Sequence, residues 1–212
     1  MLNIALPKGR LGDSVYRMFA EIGLSCPEML EDNRKLIFEN KENEVMYFLV
    51  KPSDVAIYVE NGAADIGVVG KDVLLESEPN VYELLDMGIG KCSVAVAAPN
   101  DYKENQGAVL RVATKYPRIA KEYYTGISRK IELIKLNGSM ELAPCVNLSD
   151  VIVDIVETGS TLRENNLKVT DHIKDISARL ICNKTSFKFK NERIADIENR
   201  LREVISSENS KV

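Results

Sequence analysis

Short apolar runs recur along this chain, and they leave few folds open to it. LNIAL at 2–6, KLIFE at 35–39, EVMYFLV at 44–50, ADIGVVG at 64–70, SVAVAA at 93–98, VLRVAT at 109–114, IELIKL at 131–136 and VIVDI at 151–155 each read as a strand. Asn40-Lys41-Glu42-Asn43 reads as the turn between the second and third. Helical stretches lie between others. Leu11, Val15, Met18, Phe19 and Ile22 share one helix face that Gly23 stops. Pro52 opens a helix that runs to Glu60, with Ser53 or Asp54 close to its cap, and further helices are expected at 117–125 and about 139–147. The last helix, 191 to 206, aligns Ile194, Ile197, Leu201, Val204 and Ile205, and the tail from Ser206 reads as frayed. Strands alternating with helices predict an α/β fold of parallel sheets covered by helices. Gly88-Ile89-Gly90 is the best boundary, and a second crossing near 170–180 would return the C-terminal helix to the first lobe. The expected architecture is therefore two lobes, 1–88 with about 176–212 and about 89–175, with a ligand cleft between them.

Composition narrows the function. Lys plus Arg is 28 against 32 for Asp plus Glu, a net charge of −4, which disfavours a general nucleic-acid binder but leaves room for a local anion site. The four cysteines, at 26, 92, 145 and 182, are widely spaced with one histidine, His172, to join them, so a zinc site is not expected. They read as reduced thiols, small core residues of a cytoplasmic protein. The N-terminal MLNIALPKGR lacks the charge order of a signal peptide, and CSVAVAAP at 92–99 is too short to cross a bilayer.

Some motifs tempt and fail. Gly67 to Asp72 has too few residues between its glycines for a Walker A loop, and Asp72 stands where Ser or Thr is needed. Gly88-Ile89-Gly90 lacks the third glycine of a dinucleotide fingerprint, Ser93 standing in its place. No triad surrounds His172. The stretch VIVDIVETGSTLREN, 151–165, is different. Ligands of open α/β sheets bind beyond the carboxyl ends of the strands. Asp154 sits near such an end, and Glu157-Thr158-Gly159-Ser160-Thr161 leads into a helix beginning about Thr161. Loop amides, three hydroxyls and one glycine make a phosphate cradle with a carboxylate beside it, which suits a sugar phosphate. A capped helix after a strand reads equally from the same residues.

Leu136-Asn137-Gly138-Ser139-Met140-Glu141-Leu142-Ala143-Pro144 and Ser149 through Leu162 closely resemble the signature of the ATP phosphoribosyltransferase family. Leu6-Pro7-Lys8-Gly9-Arg10-Leu11, Asp54-Val55 with Tyr58-Val59-Glu60, Gly62 through Leu74, and Ala113-Thr114-Lys115-Tyr116-Pro117 match it in the same order, so the resemblance covers nearly the whole chain. Two positions depart from the family pattern. Asn147 stands where the family has Gly, and Asn tolerates left-handed backbone better than most residues. Lys51 stands where the family has Arg, keeping the charge but losing the bidentate fork.

The resemblance implies a pentosyl transfer, the first step of histidine biosynthesis. Adenine N1 of ATP attacks the anomeric carbon of 5-phosphoribosyl 1-diphosphate (PRPP), and diphosphate leaves, assisted by Mg²⁺. Thr158, Gly159, Ser160, Thr161 and Leu162, with Glu157, are then expected at the 5-phosphate, and Asp154 at the ribose hydroxyls. Glu141 is expected as a second carboxylate near the ribose or its metal, with helix capping as its alternative. Lys8 and Arg10 are expected to meet phosphates, Lys8 those of PRPP and Arg10 those of ATP, with a solvated turn as their alternative. Arg10, Glu141 and Asp154 form the expected catalytic set. Arg34 and Lys51 are candidates for the ATP phosphates, and Asp72 either lies near the adenine or ribose of ATP or caps the next helix. Lys115 is a candidate without a role. No metal site is expected from protein side chains alone. The chain resembles the family's short form, without a C-terminal regulatory domain. That implies a partner similar to histidyl-tRNA synthetase, a hetero-octamer, and feedback by histidine through the partner.

Two rivals share parts of this pattern. A two-lobed α/β chain of periplasmic-binding-protein-like, type II architecture can be a non-catalytic small-anion binder, and fold alone does not separate these. A salvage phosphoribosyltransferase for a free base would also carry a Thr-Gly-Ser-Thr loop.

Overall fold

A computed structural model describes residues 1–31 and 34–209. The chain divides into two units, Met1–Gly90 with Ser177–Val212, and Lys91–Ile176. Each contains one sheet.

The first unit holds strands β1 (Leu2–Pro7), β2 (Ile37–Asn40), β3 (Val45–Val50), β4 (Ile66–Gly70) and β5 (Val81–Asp86). Its helices are α1 (Arg10–Glu21), α2 (Val55–Glu60) and α3 (Lys71–Ser77). The second unit holds β6 (Cys92–Pro99), β7 (Leu110–Thr114), α4 (Pro117–Gly126), β8 (Ile131–Lys135), α5 (Leu142–Cys145), β9 (Val151–Val156), α6 (Ser160–Glu164) and β10 (Leu167–Ile176). The chain then re-enters the first unit as β11 (Ala178–Asn183), α7 (Lys184–Phe189) and α8 (Asn191–Asn209).

In the first unit the strand order is β2-β3-β1-β4-β11-β5. β1 runs parallel to β3 and β4, while β2 and β11 run antiparallel to their neighbours. The expectation of purely parallel sheets is thus corrected. The short Asn40–Asn43 turn can only fold back as a hairpin, because a parallel pair needs a long crossover. Leu2, Ile4 and Leu6 of β1 face a core built with Val15, Phe19, Ile194, Ile197 and Leu201, so α1 and α8 cover that side. Ala5, between them, faces Val55, Val59 and Leu74 on the other. α1 ends as expected, with Leu24 N–H donating to the Phe19 carbonyl at 3.0 Å over Gly23.

In the second unit the order is β10-β6-β9-β7-β8, with β7 parallel to β8 and β9, and β6 antiparallel to both of its neighbours, β9 and β10. α5 and α6 pack through Ala143 and Leu162 against Ala97, Ala113 and Ile152 of the sheet. The expected helix over 139–147 shrinks to α5, because Ser139 and Asn147 on either side adopt left-handed backbone, φ +52° and +58°. Asp54 occupies the N-cap position of α2, but its side chain caps nothing. Cys26 and Cys182 are buried as expected, whereas Cys145 is exposed. The tail from Ser206 is not frayed at its start: α8 continues through Asn209, and 210–212 lie outside the described residues. No helix among the described residues is long and apolar enough to cross a membrane.

Candidate active site

The second unit gathers its chemistry at one edge of the sheet. β7, β8 and β9 are parallel neighbours, so the segments that follow them all leave from the same edge. Those segments contain Lys115, then Asn137 to Glu141, then Glu157 to Gly159. This is the carboxyl edge, where α/β sheets take ligands.

The loop after β9 is compact. Gly159 takes the N-cap position of α6 with φ +69° and ψ 9°, a left-handed conformation open to glycine. The helix starts at Ser160, one residue earlier than expected. Thr158 Oγ1 and Ser160 Oγ lie 3.0 Å apart, and Ser160 N–H approaches Thr158 Oγ1 at 3.4 Å. Glu157, Thr158, Ser160 and Thr161 are exposed, and the first-turn amides of α6 have no acceptor within the helix. Leu162 is buried in the core of its unit, so only its backbone can reach a ligand. Gly159, at the N-cap position, has no side chain to cap α6, and the Thr158 hydroxyl is the side-chain group near a first-turn amide. Asp154 is half-buried, and its Oδ1 accepts from the Ile155 N–H at 2.8 Å.

Glu141 stands at the N-cap position of α5 and is half-buried. Its side chain makes no cap hydrogen bond, which removes the helix-capping alternative. Behind these groups, Thr114 is fully buried. Its hydroxyl donates to the Val153 carbonyl at 2.7 Å and accepts from the Tyr116 N–H at 2.8 Å. It therefore ties the strand end that carries Asp154 to the turn that carries Lys115, an exposed residue whose ammonium lies 5.7 Å from the Tyr116 ring centre. At the other end of β9 the Arg111 guanidinium hydrogen-bonds Asp150 at 2.6 Å and holds that carboxyl below the usual range. Arg111 also donates to Asn147, to its carbonyl at 2.9 Å and to its side-chain Oδ1 at 3.0 Å.

The first unit has a comparable edge. β1, β3 and β4 are parallel neighbours, and they are followed by Lys8, Lys51 and Lys71-Asp72 respectively. Lys8 N–H donates to the Val50 carbonyl at 2.8 Å, and Leu49 N–H to the Leu36 carbonyl at 2.9 Å, which brings Arg34 and Lys35 to the same edge. Lys8, Asp13, Arg34 and Lys35 line one open cavity of about 510 Å³, together with Gly9 and Leu36. Arg10, exposed, opens α1. The helix can pass this close because position 12 is glycine: a Cβ there would lie 1.7 Å from the Pro7 carbonyl oxygen.

Lys51 is exposed at the start of a 3-10 turn over Pro52–Asp54 and does not line the cavity that holds Lys8 and Arg34. Asp72 is 8% exposed, inside the first turn of α3. Gly70, not Asp72, occupies the N-cap position, so the capping alternative for Asp72 is corrected. Sequence reasoning missed Asp13, Lys35 and Thr114. Only for Thr114 was there a signal, a hydroxyl at the end of an apolar strand.

Among the described residues, no three or more His, Cys, Asp or Glu side chains gather where they could hold a metal ion.

Comparison with known proteins gives four findings. Residues 51–203 match the model of the HisG family, ATP phosphoribosyltransferase. An ATP phosphoribosyltransferase of Brachyspira hyodysenteriae is 63% identical over 206 residues, spanning 97% of this chain and 100% of that one. Among solved structures, a chain of the ATP phosphoribosyl transferase (HisG:HisZ) complex from Thermotoga maritima superposes with a TM-score of 0.85 at 36% identity, over 98% of this chain and 100% of that chain. The periplasmic aliphatic sulphonate binding protein SsuA from Escherichia coli is 11% identical with a TM-score of 0.61, over 99% of this chain and 74% of that one, a likeness of fold alone.

Proposed function

This chain belongs to the ATP phosphoribosyltransferase family and its activity is the family's; we propose that the loop after β9 holds the 5-phosphate of PRPP while the basic edge of the first unit holds the phosphates of ATP. The observation that carries this reading is the β9 loop, with its left-handed glycine, clustered hydroxyls and first-turn amides beside Asp154. Glu157 to Thr161 and the Leu162 backbone surround the 5-phosphate, and Asp154 accepts from the ribose hydroxyls. Glu141, uncapped at the start of α5, faces the ribose or its metal. Arg10, Arg34 and Lys51 take the ATP phosphates, and Asp72 lies near the nucleoside. Lys8, which shares a cavity with Arg34, is proposed to meet a phosphate of PRPP.

Adenine N1 is already unprotonated at neutral pH, so the transfer requires no strong base. What it requires is alignment of two polyanions and stabilisation of charge as the glycosidic bond to diphosphate breaks. Phosphoribosyl transfer generally needs a divalent cation, and Mg²⁺ is proposed. Glu141 and Asp154 are hard oxygen donors of the type Mg²⁺ accepts. Substrate oxygens would supply most ligands, with Glu141 proposed as the side chain that joins them. When bound, the ion would neutralise the leaving diphosphate.

The Thermotoga maritima neighbour comes from a HisG:HisZ complex. On that basis we propose a HisZ-type regulatory subunit as partner; its likeness to histidyl-tRNA synthetase, a hetero-octamer and a cytoplasmic location are proposed from the sequence resemblance. Diphosphate release from ATP, PRPP and Mg²⁺, with and without that subunit, tests the function. Phosphoribosyl-ATP identified by mass is the expected product. Product from free adenine in place of ATP would favour a salvage enzyme, and neither turnover nor substrate binding would favour a plain anion binder.

A further inference from the structure

The β9 loop contains a peptide whose orientation matters to an anion. Gly159 tolerates either orientation of the plane that joins it to Thr158. One turns the Gly159 N–H toward a bound phosphate; the other puts the Thr158 carbonyl oxygen there, which repels it.

The structure holds one of the two. Arg163, from the last turn of α6, reaches back so that its Nη1 donates to the Thr158 carbonyl at 3.0 Å. Its backbone N–H donates to the next carbonyl, that of Gly159, at 3.1 Å. A Cβ added at position 159 would lie 3.3 Å from the same Nη1, so the guanidinium is packed against the glycine. In a trans peptide the carbonyl and the amide point opposite ways. Tying the Thr158 carbonyl to Arg163 therefore turns the Gly159 N–H to the other side of the loop.

We infer that Arg163 is a positioning residue that locks the Thr158–Gly159 peptide with its N–H presented to the phosphate of PRPP. The inference rests on the assignment of this loop to PRPP. Arg163 acts through the loop and not on the phosphate itself, so its loss changes affinity for one substrate only. It also gives position 159 a second reason to be glycine, beyond its φ of +69°.

The test uses the full chain with the synthetase-like subunit in every arm. Arg163→Met removes the donor at similar length, and Arg163→Lys restores one. KM for PRPP should rise about tenfold in the Met variant, as expected for loss of a charge-assisted hydrogen bond, with KM for ATP held within about twofold. The Lys variant should recover most of the loss. In glycine-labelled NMR spectra of the full chain, inorganic phosphate should shift the Gly159 amide resonance in the wild type and not in Arg163→Met.

An unchanged PRPP KM with an unchanged phosphate response overturns the inference. So does a parallel rise in both KM values, which would mark general disruption. Thr161→Val separates the two levels. If it raises the PRPP KM while Arg163→Met does not, only the Arg163 role fails. If neither variant moves it, the loop is not the phosphate site, and the assignment of PRPP falls together with the lock.

Discussion

Thr114 shows how one hydroxyl can serve both structure and function. It is fully buried and satisfies two backbone groups from different segments, the Val153 carbonyl and the Tyr116 amide. Thr114→Val keeps the shape and strands both groups, so it should cost about 2 kcal/mol, while Thr114→Ser should cost less. A urea midpoint measured at constant m-value checks this. Because Val153 adjoins Asp154, the Val variant should also raise the KM for PRPP. Asn147 is a second case. Its φ of +58° is strained for most residues, but its side chain also receives Arg111. Asn147→Gly relieves the backbone and loses that bond, so stability should change by less than about 1 kcal/mol. Asn147→Ala loses the bond and keeps the strain, so thermal melts should rank it below the Gly variant.

At the level of elements, Asp65 fastens several together just ahead of β4. Its carboxylate is buried and accepts from the Asn3 N–H at 2.8 Å, Ser186 Oγ at 2.6 Å and Lys190 Nζ at 2.7 Å, joining β1, α7 and the start of α8. Burial alone would raise its pKa, but the hydrogen bonds from Asn3, Lys190 and Ser186 outweigh it and leave the value lowered. A carboxyl lowered in the folded state stabilises the fold above its unfolded pKa of about 3.9, and that contribution is lost as pH falls through the folded value. Asp65→Asn should therefore lower stability at pH 7 by about 2 kcal/mol and flatten the acid limb of a stability–pH curve. An unchanged acid limb would mean that Asp65 does not carry it.

Elements differed in how far their sequence revealed them. β1, β4, β7 and β9 were legible because buried central strands are nearly continuous apolar runs. β10 was not, because it is a sheet edge carrying Lys168, Asp171, His172, Lys174 and Asp175, with bulges that break its alternation. The β9 loop was legible in its hydroxyls and glycine. Arg163 was not, because its part lies in one hydrogen bond to a backbone carbonyl, which leaves no periodic trace. The grouping of Lys8 with Arg34 was equally hidden, since it depends on strand order and not on spacing.

On the scale of the whole molecule, an overall negative charge coexists with a basic cavity edge. The chain carries a net −4, yet Lys8, Arg34 and Lys35 share one cavity with Asp13 as the acid among them. Such local fields govern small-anion binding more than net charge does. Each unit presents loops from the carboxyl ends of its own parallel strands, and a different substrate is proposed for each. The most direct test is a crystal structure of the chain with PRPP and Mg²⁺. It should place the 5-phosphate about 3 Å from the backbone amides of residues 159–161, with Asp154 on the ribose hydroxyls. A 5-phosphate seated at Lys8 and Arg34, with the β9 loop empty, would contradict the account.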